Sequence, residues 1–370
     1  MFGLGILFDF RSSILSELIS LHASAIHAIV CRAFVAPSGA SSILSNKMNN
    51  DLFLALETGN VGTLENFRQQ FFNVLGDVTF QGDTPLHIAA RKGHVDLVTW
   101  IFQLKPSLAE AVNKDNNTPL HEAAKSGNRE LVRILLRGQN YVYCFNKFGE
   151  TALMIASRYR HVEIVRILLQ ARSYADAFEW DKCLGEAAYK GYNDVLVALL
   201  EQVPARPNLR VPVAPILHTA VRGGHLQIVQ AMLEHASWEN KLMIEEDELG
   251  RCAIHVAAVK GNWDIINEFI SRMPDCVEIR SSNNKSVLHF AVEHNQLKVV
   301  KNLLKNNGNE KVVELVSRDH DISRNMSLHF AAKNAVDPQM VEYLVAFPGV
   351  DVNAVNDEGM TALDIASEAA

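Results

Sequence analysis

The phrase Thr84–Phe102, TPLHIAARKGHVDLVTWIF, returns in one register from about residue 50 to the end of the chain. No other feature restricts the fold as strongly, because a local pattern kept through successive copies must build the same elements each time. Counterparts of Thr84 fall at Asn50, Thr118, Thr151, Lys182, Pro215, Cys252, Ser286, Met326 and Thr361. From Asn50 onward the intervals are 34, 34, 33, 31, 33, 37, 34, 40 and 35 residues. Each copy predicts two short helices joined at a tight break and stacked along one direction.

Local chemistry accounts for the unit. Thr84 offers its hydroxyl to an orphan N–H of the first helical turn. Pro85 takes the first helical position, where its fixed φ helps and its missing N–H costs nothing. His87 stands three residues after the cap, where a polar side chain reaches back to the helix start. Leu86, Ala89 and Ala90 form a face that lets a neighbouring helix approach. Gly93 supplies the left-handed backbone that ends the helix. Val95, Leu97, Val98, Ile101 and Phe102 then line one stripe of a second helix. Two helices this short cannot bury that surface alone, so each unit needs a copy on either side.

Thr118-Pro119-Leu120-His121-Glu122-Ala123-Ala124, closed by Gly127, repeats the phrase in full. Leu217-His218 with Gly224, Ile254-His255 with Gly261, Leu288-His289 and Leu328-His329 keep its centre. A period near 33 around a TPLHxAA core resembles the ankyrin repeat, and the resemblance covers residues 48–370. It implies an all-α ankyrin-repeat solenoid of stacked helix-turn-helix units with short β-hairpin fingers.

Departures from the phrase mark boundaries. The first copy carries Phe53 at the His position, as a capping unit requires. The Thr151 copy has Met154 at the His position and Arg160 at the Gly position, which predicts a strained or remodelled turn. In the next copy Gly185 takes the His position, and Pro204, Pro207, Pro212 and Pro215 follow. Those prolines forbid a regular hairpin strand and read as a seam between sub-arrays or as a rigid substituted finger. The expected organisation is therefore an extension at 1–47, sub-array one at 48–203, a proline-rich connection at 204–215, and sub-array two at 216–370. Glu245-Glu246-Asp247-Glu248 reads as a solvated finger tip, and the stretch between Leu304 and Met326 as a longer loop. The last unit stops inside its first helix at TALDIASEAA, implying a truncated product, a fragment or an end closed by another chain. Residues 1–47 read as a disordered or amphipathic extension, a targeting or membrane-surface segment, or an upstream addition to a start at Met48.

More narrowly, the MNNDLFLALETGN opening, the TPLHIAARKGHVDLV grammar and the closing GMTALDIASE are similar to plant ankyrin proteins of the accelerated-cell-death, PGG-domain type. That resemblance implies an array facing the cytoplasm, followed by several membrane-spanning helices with a Pro-Gly-Gly motif. It also implies defence, stress and cell-death signalling at the plasma membrane. No Pro-Gly-Gly and no run of eighteen apolar residues follows the array. The alternative reading is accordingly a cytoplasmic sensor portion lacking the spanning domain.

Composition narrows the chemistry. An apolar fraction of 48% with 21% charged residues fits a folded chain, and a net charge of −7 disfavours nucleic acid. Cys31, Cys144, Cys183, Cys252 and Cys276 show no CxxC spacing and read as reduced packing thiols in a cytoplasmic protein. Histidines at matched positions of stacked helices lie roughly 8–10 Å apart, too far to share an ion at ~2 Å bond lengths. No GxSxG, GxxxxGK[ST] or GxGxxG context occurs. No catalysis, cofactor or metal is expected, which leaves binding.

Exposed first-helix positions are expected one, four and five residues after the His. The last two give Arg91/Lys92, Lys125, Arg158, Lys190, Arg222, Lys260, Glu293/His294 and Lys333. A basic track on the concave face would suit an acidic protein segment or anionic lipid headgroups. The competing reading is a face kept wet, with cations complementing the helix C-terminal dipole. Phe80, Phe148 and Trp180 in the finger regions, with Tyr159 and Tyr189 beside them, form a second set, as binding anchors or as finger packing. The function expected is a non-catalytic scaffold docking a protein partner in intracellular signalling.

Overall fold

The computed structural model describes residue 48 and residues 50–59, 75–137, 144–171, 177–202, 213–234, 241–305, 319–334, 337–348 and 350–369. The extension at 1–47, residues 204–212 of the proline-rich stretch, and much of the Leu304–Met326 loop lie outside them. The chain divides into two compact units, Met1–Ser173 and Tyr174–Ala370. That division falls ahead of the seam expected at 204–215.

Unit 1 contains α1 (Asn50–Thr58), α2 (Pro85–Lys92), α3 (Val95–Leu104), α4 (Pro119–Ser126), α5 (Arg129–Leu136), α6 (Ala152–Arg158) and α7 (Val162–Gln170). A 3₁₀ turn, Pro106–Glu110, follows α3. First helices stack on first helices, α2 on α4 and α4 on α6, while α3, α5 and α7 stack as a second row. Leu86, Ala89 and Ala90 are buried between the rows with Leu97, Val98 and Ile101.

Unit 2 contains α8 (Ala177–Lys190), α9 (Asn193–Leu200), α10 (Val213–Gly223), α11 (Leu226–Leu233), α12 (Lys241–Ile244), α13 (Ala253–Lys260) and α14 (Trp263–Arg272). It continues with α15 (Val287–Glu293), α16 (Leu297–Lys305), α17 (Ser327–Lys333), α18 (Pro338–Val345) and α19 (Ala362–Ala369). The same two rows recur, α8, α10, α13, α15, α17 and α19 in one, α9, α11, α14, α16 and α18 in the other. This is an all-α repeat solenoid. No helix among the described residues is long and apolar enough to cross a membrane.

Two helix starts differ from the spacing-based register. α8 begins at Ala177 rather than Lys182, and α10 at Val213 rather than Pro215. Pro215 is accommodated because the first helical turn needs no N–H from it. Elsewhere the expected termini hold. Thr84 and Thr118 are extended caps with Pro85 and Pro119 behind them. Gly93, Gly127, Gly224 and Gly261 all have positive φ, and Arg160 adopts the same left-handed backbone at φ 59°.

Histidines tie successive repeats together. The Thr84 backbone N–H donates to His87 Nδ1 at 3.2 Å, and His87 Nε2 lies 2.8 Å from the Asn117 carbonyl. An N–H can only donate and a carbonyl can only accept, so Nε2 carries the proton. The same two-sided bonding joins His121 to Thr118 and Glu150, and His255 to Cys252 and Ile279. His289 reaches the Asn325 carbonyl and His329 that of Met360. His218 departs from the pattern: its Nδ1 faces the Ala214 carbonyl and its Nε2 that of Arg251.

A second ladder runs backward. Side chains at the start of six of the second helices donate to a carbonyl near the end of the first helix one repeat earlier. His94 reaches Glu57, Asn128 Gly93, and His161 Lys125. In unit 2 His225 reaches Tyr189, Asn262 Val221, and Gln296 Val259.

Among the described residues no strand forms, and the expected β-hairpin fingers are tight turns: His320 and Met326 make an isolated bridge, and each finger is closed by a backbone bond such as Asn113 N–H to Asn117 together with a side chain. Eight residues before the His position of five copies an Asn or Asp side chain folds the finger. Asn113 Oδ1 accepts from the N–H groups of Asp115 and Asn117, and Asn146 Oδ1 from those of Phe148 and Glu150. Asp247, Asp321 and Asn356 do the same. Neighbouring fingers share a backbone bond, Lys114 N–H to Gln81 and Lys147 N–H to Asp115.

Candidate binding site

The anticipated basic row is exposed but not uniformly available. Arg91 lies 2.9 Å from Asp83 through Nη1 and 2.9 Å from Glu122 through Nε. Lys92 pairs with Glu57, Arg158 with Glu150, and Lys190 with Glu186. Lys125, Arg222, Lys260 and Lys333 are exposed with no carboxylate partner among the described residues. Burial alone would raise the Asp83 carboxyl, but bonds from Arg91 and Asn113 hold it below the ordinary carboxylate value. The pairing has a simple register: Asp83 and Arg91, or Glu150 and Arg158, flank the His position by four residues on each side. Lys285 and Glu293 repeat it with the signs exchanged.

Two expectations are corrected. The residue after the His is buried rather than exposed: Ile88, Glu122, Ile155, Val256, Phe290 and Phe330 all face inward. Trp180 is 0% exposed. The early start of α8 puts its indole on the core side of a helix rather than in a finger. Phe80, Phe148, Tyr159 and Tyr189 are exposed as expected, Phe148 at 67%.

Lysines stand over three of these rings. Lys114 Nζ is 4.1 Å from the Phe80 centroid, Lys147 Nζ 5.0 Å from that of Phe148, and Lys125 Nζ 5.9 Å from that of Tyr159. Such placement favours a cation at the ring face.

Unit 1 holds a groove of roughly 530 Å³ that brings Lys125, Phe148, Arg158 and Tyr159 together, with Asp115 and Glu150 on its walls. It is formed by the fingers at 113–117 and 146–150 over α4 and α6. Asn146 Nδ2 fixes the two fingers by donating to Asn117 Oδ1 at 3.1 Å. Asp115 is paired with Lys147 and Glu150 with Arg158, so Lys125 and nearby Lys114 carry the surplus charge. Phe80, Arg91 and Lys92 belong to unit 1 but do not line the groove, and Tyr189, Lys190, Arg222 and Lys260 belong to unit 2. A smaller cleft of roughly 300 Å³ in unit 2 lies between α8 and α10, beside Asp181, Gly185 and Ile216, none of them anticipated.

One constellation resembles a nucleophile site. Ser286 Oγ donates to Asp319 Oδ2 at 2.8 Å, and His289 Nδ1 lies 3.1 Å from both Ser286 Oγ and Asp319 Oδ2. An activated serine loses its proton to one imidazole nitrogen while a carboxylate holds the other. Here the serine hydroxyl donates to the carboxylate instead of to the imidazole, and the far nitrogen is bound to the Asn325 carbonyl. Ser327 and Arg280 also bind Asp319, and Ser286, His289 and Asp319 are fully buried. Burial raises the Asp319 carboxyl, but His289, Arg280 and Ser286 pull it below its ordinary value. The arrangement is a finger clamp. Burial pushes Cys252 up to about 11 and Cys276 up to about 12, which leaves both thiols protonated. No group of potential metal ligands occurs among the described residues.

The chain is 27% identical over 181 residues to the Transient receptor potential cation channel subfamily A member 1 homolog of Caenorhabditis elegans. The alignment covers 49% of this chain and 14% of that protein, so the chain spans a small part of its relative. The family model described as Ankyrin repeats (3 copies) matches residues 21–143, 103–179, 136–211, 184–278, 217–314 and 288–370, starting inside the stretch set apart as an extension. With matches running through nearly its whole length, and paired helices stacked in two rows, the chain belongs to the ankyrin-repeat family.

Proposed function

We propose that this chain is a non-catalytic protein-interaction scaffold whose finger-side groove in unit 1 docks an acidic segment of a protein partner. The convergence of unpaired Lys125 with exposed Phe148 and Tyr159 carries this reading. Aromatic side chains are frequent hot spots, and a cation lacking a carboxylate partner is the natural receptor for one. Anionic lipid is a poorer ligand, because Arg91, Lys92, Arg158 and Lys190 are already paired, whereas membrane attraction needs clustered unpaired cations. Affinity capture from the native cell, comparing the unmodified chain with Lys125→Glu and Phe148→Ala/Tyr159→Ala variants, tests it. Partners retained by the first and lost by both variants support the groove; an unchanged set of partners removes it.

A second reading makes the array the cytoplasmic sensor portion of a membrane protein, at the plasma membrane and in plant defence or stress signalling if the PGG-type resemblance holds. The partial likeness to a cation channel homolog favours the membrane link. Spanning helices encoded beyond Ala370 in the native transcript would support it; a stop codon there, with the protein absent from membrane fractions, would exclude it.

A further inference from the structure

The finger between α12 and α13 has chemistry complementary to the groove. Its tip reads Ile244-Glu245-Glu246-Asp247-Glu248-Leu249. Asp247 Oδ1 accepts from the N–H groups of Leu249 and Arg251 at 2.9 and 3.0 Å, and Oδ2 pairs with Arg251 Nη2 at 2.8 Å. The turn is therefore held by its own side chains, and little ordering is needed on contact. Glu246 and Glu248 are exposed with no cationic partner among the described residues. Beside them Ile244 and Leu249 are 54% and 64% exposed. A pre-shaped, doubly anionic knob with apolar shoulders faces solvent. The unit 1 groove offers the reverse, surplus Lys125 and Lys114 beside exposed Phe148 and Tyr159.

We infer that the Ile244–Leu249 finger of one copy docks in the Lys125–Phe148–Tyr159 groove of a second copy. This rests on the docking role proposed for that groove and names an occupant. Each copy has both a groove and a knob, so the contact is heterologous and adds copies head to tail unless a ring closes. A groove of roughly 530 Å³ engages one finger tip. A six-residue finger tip falls well short of the roughly 20–30 residues a side of a stable interface, so assembly is weak and concentration-dependent. With exposed charges at its centre, it is also salt-sensitive.

Sedimentation of the full chain over a hundredfold concentration range, at low and at moderate salt, reads the assembly directly. The expected result is an average mass that rises with concentration at low salt, passes twice the monomer value, and falls back with added salt. Lys125→Glu alone and Glu246→Lys/Glu248→Lys alone each weaken association at least tenfold, and mixing the two variant chains restores it. All three positions are exposed, and matching thermal melts confirm that the variants fold. A monomer throughout, association indifferent to both swaps, or no restoration on mixing overturns the inference. If the unmodified chain stays monomeric while partner capture still depends on Lys125, the docking role stands and self-association alone falls. If Lys125→Glu changes neither assembly nor capture, both fall.

Discussion

His121 Nε2 lies 3.1 Å from the carbonyl oxygen of Glu150, so the first helix of one repeat holds the finger of the next through a proton on that nitrogen. The opposite nitrogen accepts the Thr118 N–H, which leaves no room for a second proton. Burial, the dominant cause, pushes the ring down to about 4, and His255 is pushed down to about 4 in the same setting. The unfolded chain binds protons at about 6.5 that these folded rings refuse. Their contribution is therefore complete above pH 6.5 and drains away as pH falls toward 4. Urea melts at pH 7 and pH 5 should show stability falling with acid, by up to about 3 kcal/mol per ring across the full window. His121→Gln should flatten the dependence. Equal stability at both pH values would show that these rings titrate normally.

Arg160 occupies a left-handed position at φ 59°, where the matched residue is glycine in six other repeats and Asn295, at φ 56°, in another. A side chain there costs about 1 kcal/mol, so Arg160→Gly should raise the melting temperature. The reverse change has a graded cost. A Cβ on Gly93 would approach nothing nearer than Asn128 Nδ2 at 3.9 Å, whereas one on Gly127 would meet the His161 ring at 2.7 Å. Gly127→Ala should therefore destabilise by more than Gly93→Ala, which bears the backbone strain alone. Thermal melts of the three variants check the order.

What the sequence disclosed follows from how local each cause is. Thr84, Pro85, His87 and Gly93 act within one helix, so their roles could be read from spacing and residue type. Arg160 could be read as strained for the same reason. Trp180 is misplaced because the spacing of neighbouring copies puts a helix start at Lys182, although Asp176 before Ala177, with Glu179 three residues on, is a cap signal for the earlier start. The pairing of Arg91 with Glu122 crosses 31 residues, and helix-face reasoning sees only one repeat at a time. The finger-closing Asn113, Asn146, Asp247, Asp321 and Asn356 were within reach, since a short polar residue stands eight positions before the His position in most copies, although Arg210 stands there before His218. The ankyrin resemblance implies hairpin fingers, but a side chain that closes its own turn removes the need for a strand pair.

Asp319 is the most exacting of the buried groups. It gathers Arg280, Ser286, Ser327 and His289 around one carboxylate between two fingers. Asp319→Ala leaves the Arg280 guanidinium without its buried counter-ion and two hydroxyls without their acceptor. The expected loss is about 3 kcal/mol, toward the lower end for a broken buried pair because Arg280 keeps some contact with water. Hydrogen exchange should localise the damage to amides of α15, α17 and their fingers, with α2 to α7 unchanged. Uniform loosening of both units would show that the clamp is not local.

Glu150 offers the sharpest test of charge in the groove. Its side chain pairs with Arg158 and accepts from Asn146, while its backbone carbonyl independently receives His121. Glu150→Gln keeps the shape and the acceptor oxygen and removes only the negative charge. The exposed half of the pair lies at the surface, so stability should change by less than about 1 kcal/mol. Arg158 then joins Lys125 as uncompensated charge, and an acidic partner recovered by capture should bind several-fold more tightly at low salt. Raising ionic strength should erase the gain, since charges separated by about 10 Å are screened at 0.1 M. Lys125→Gln should weaken the same partner under the same conditions. Fluorescence anisotropy titrations at two salt concentrations measure both effects, and a Glu150→Gln variant that binds more weakly would mean the partner presents a cation to this groove.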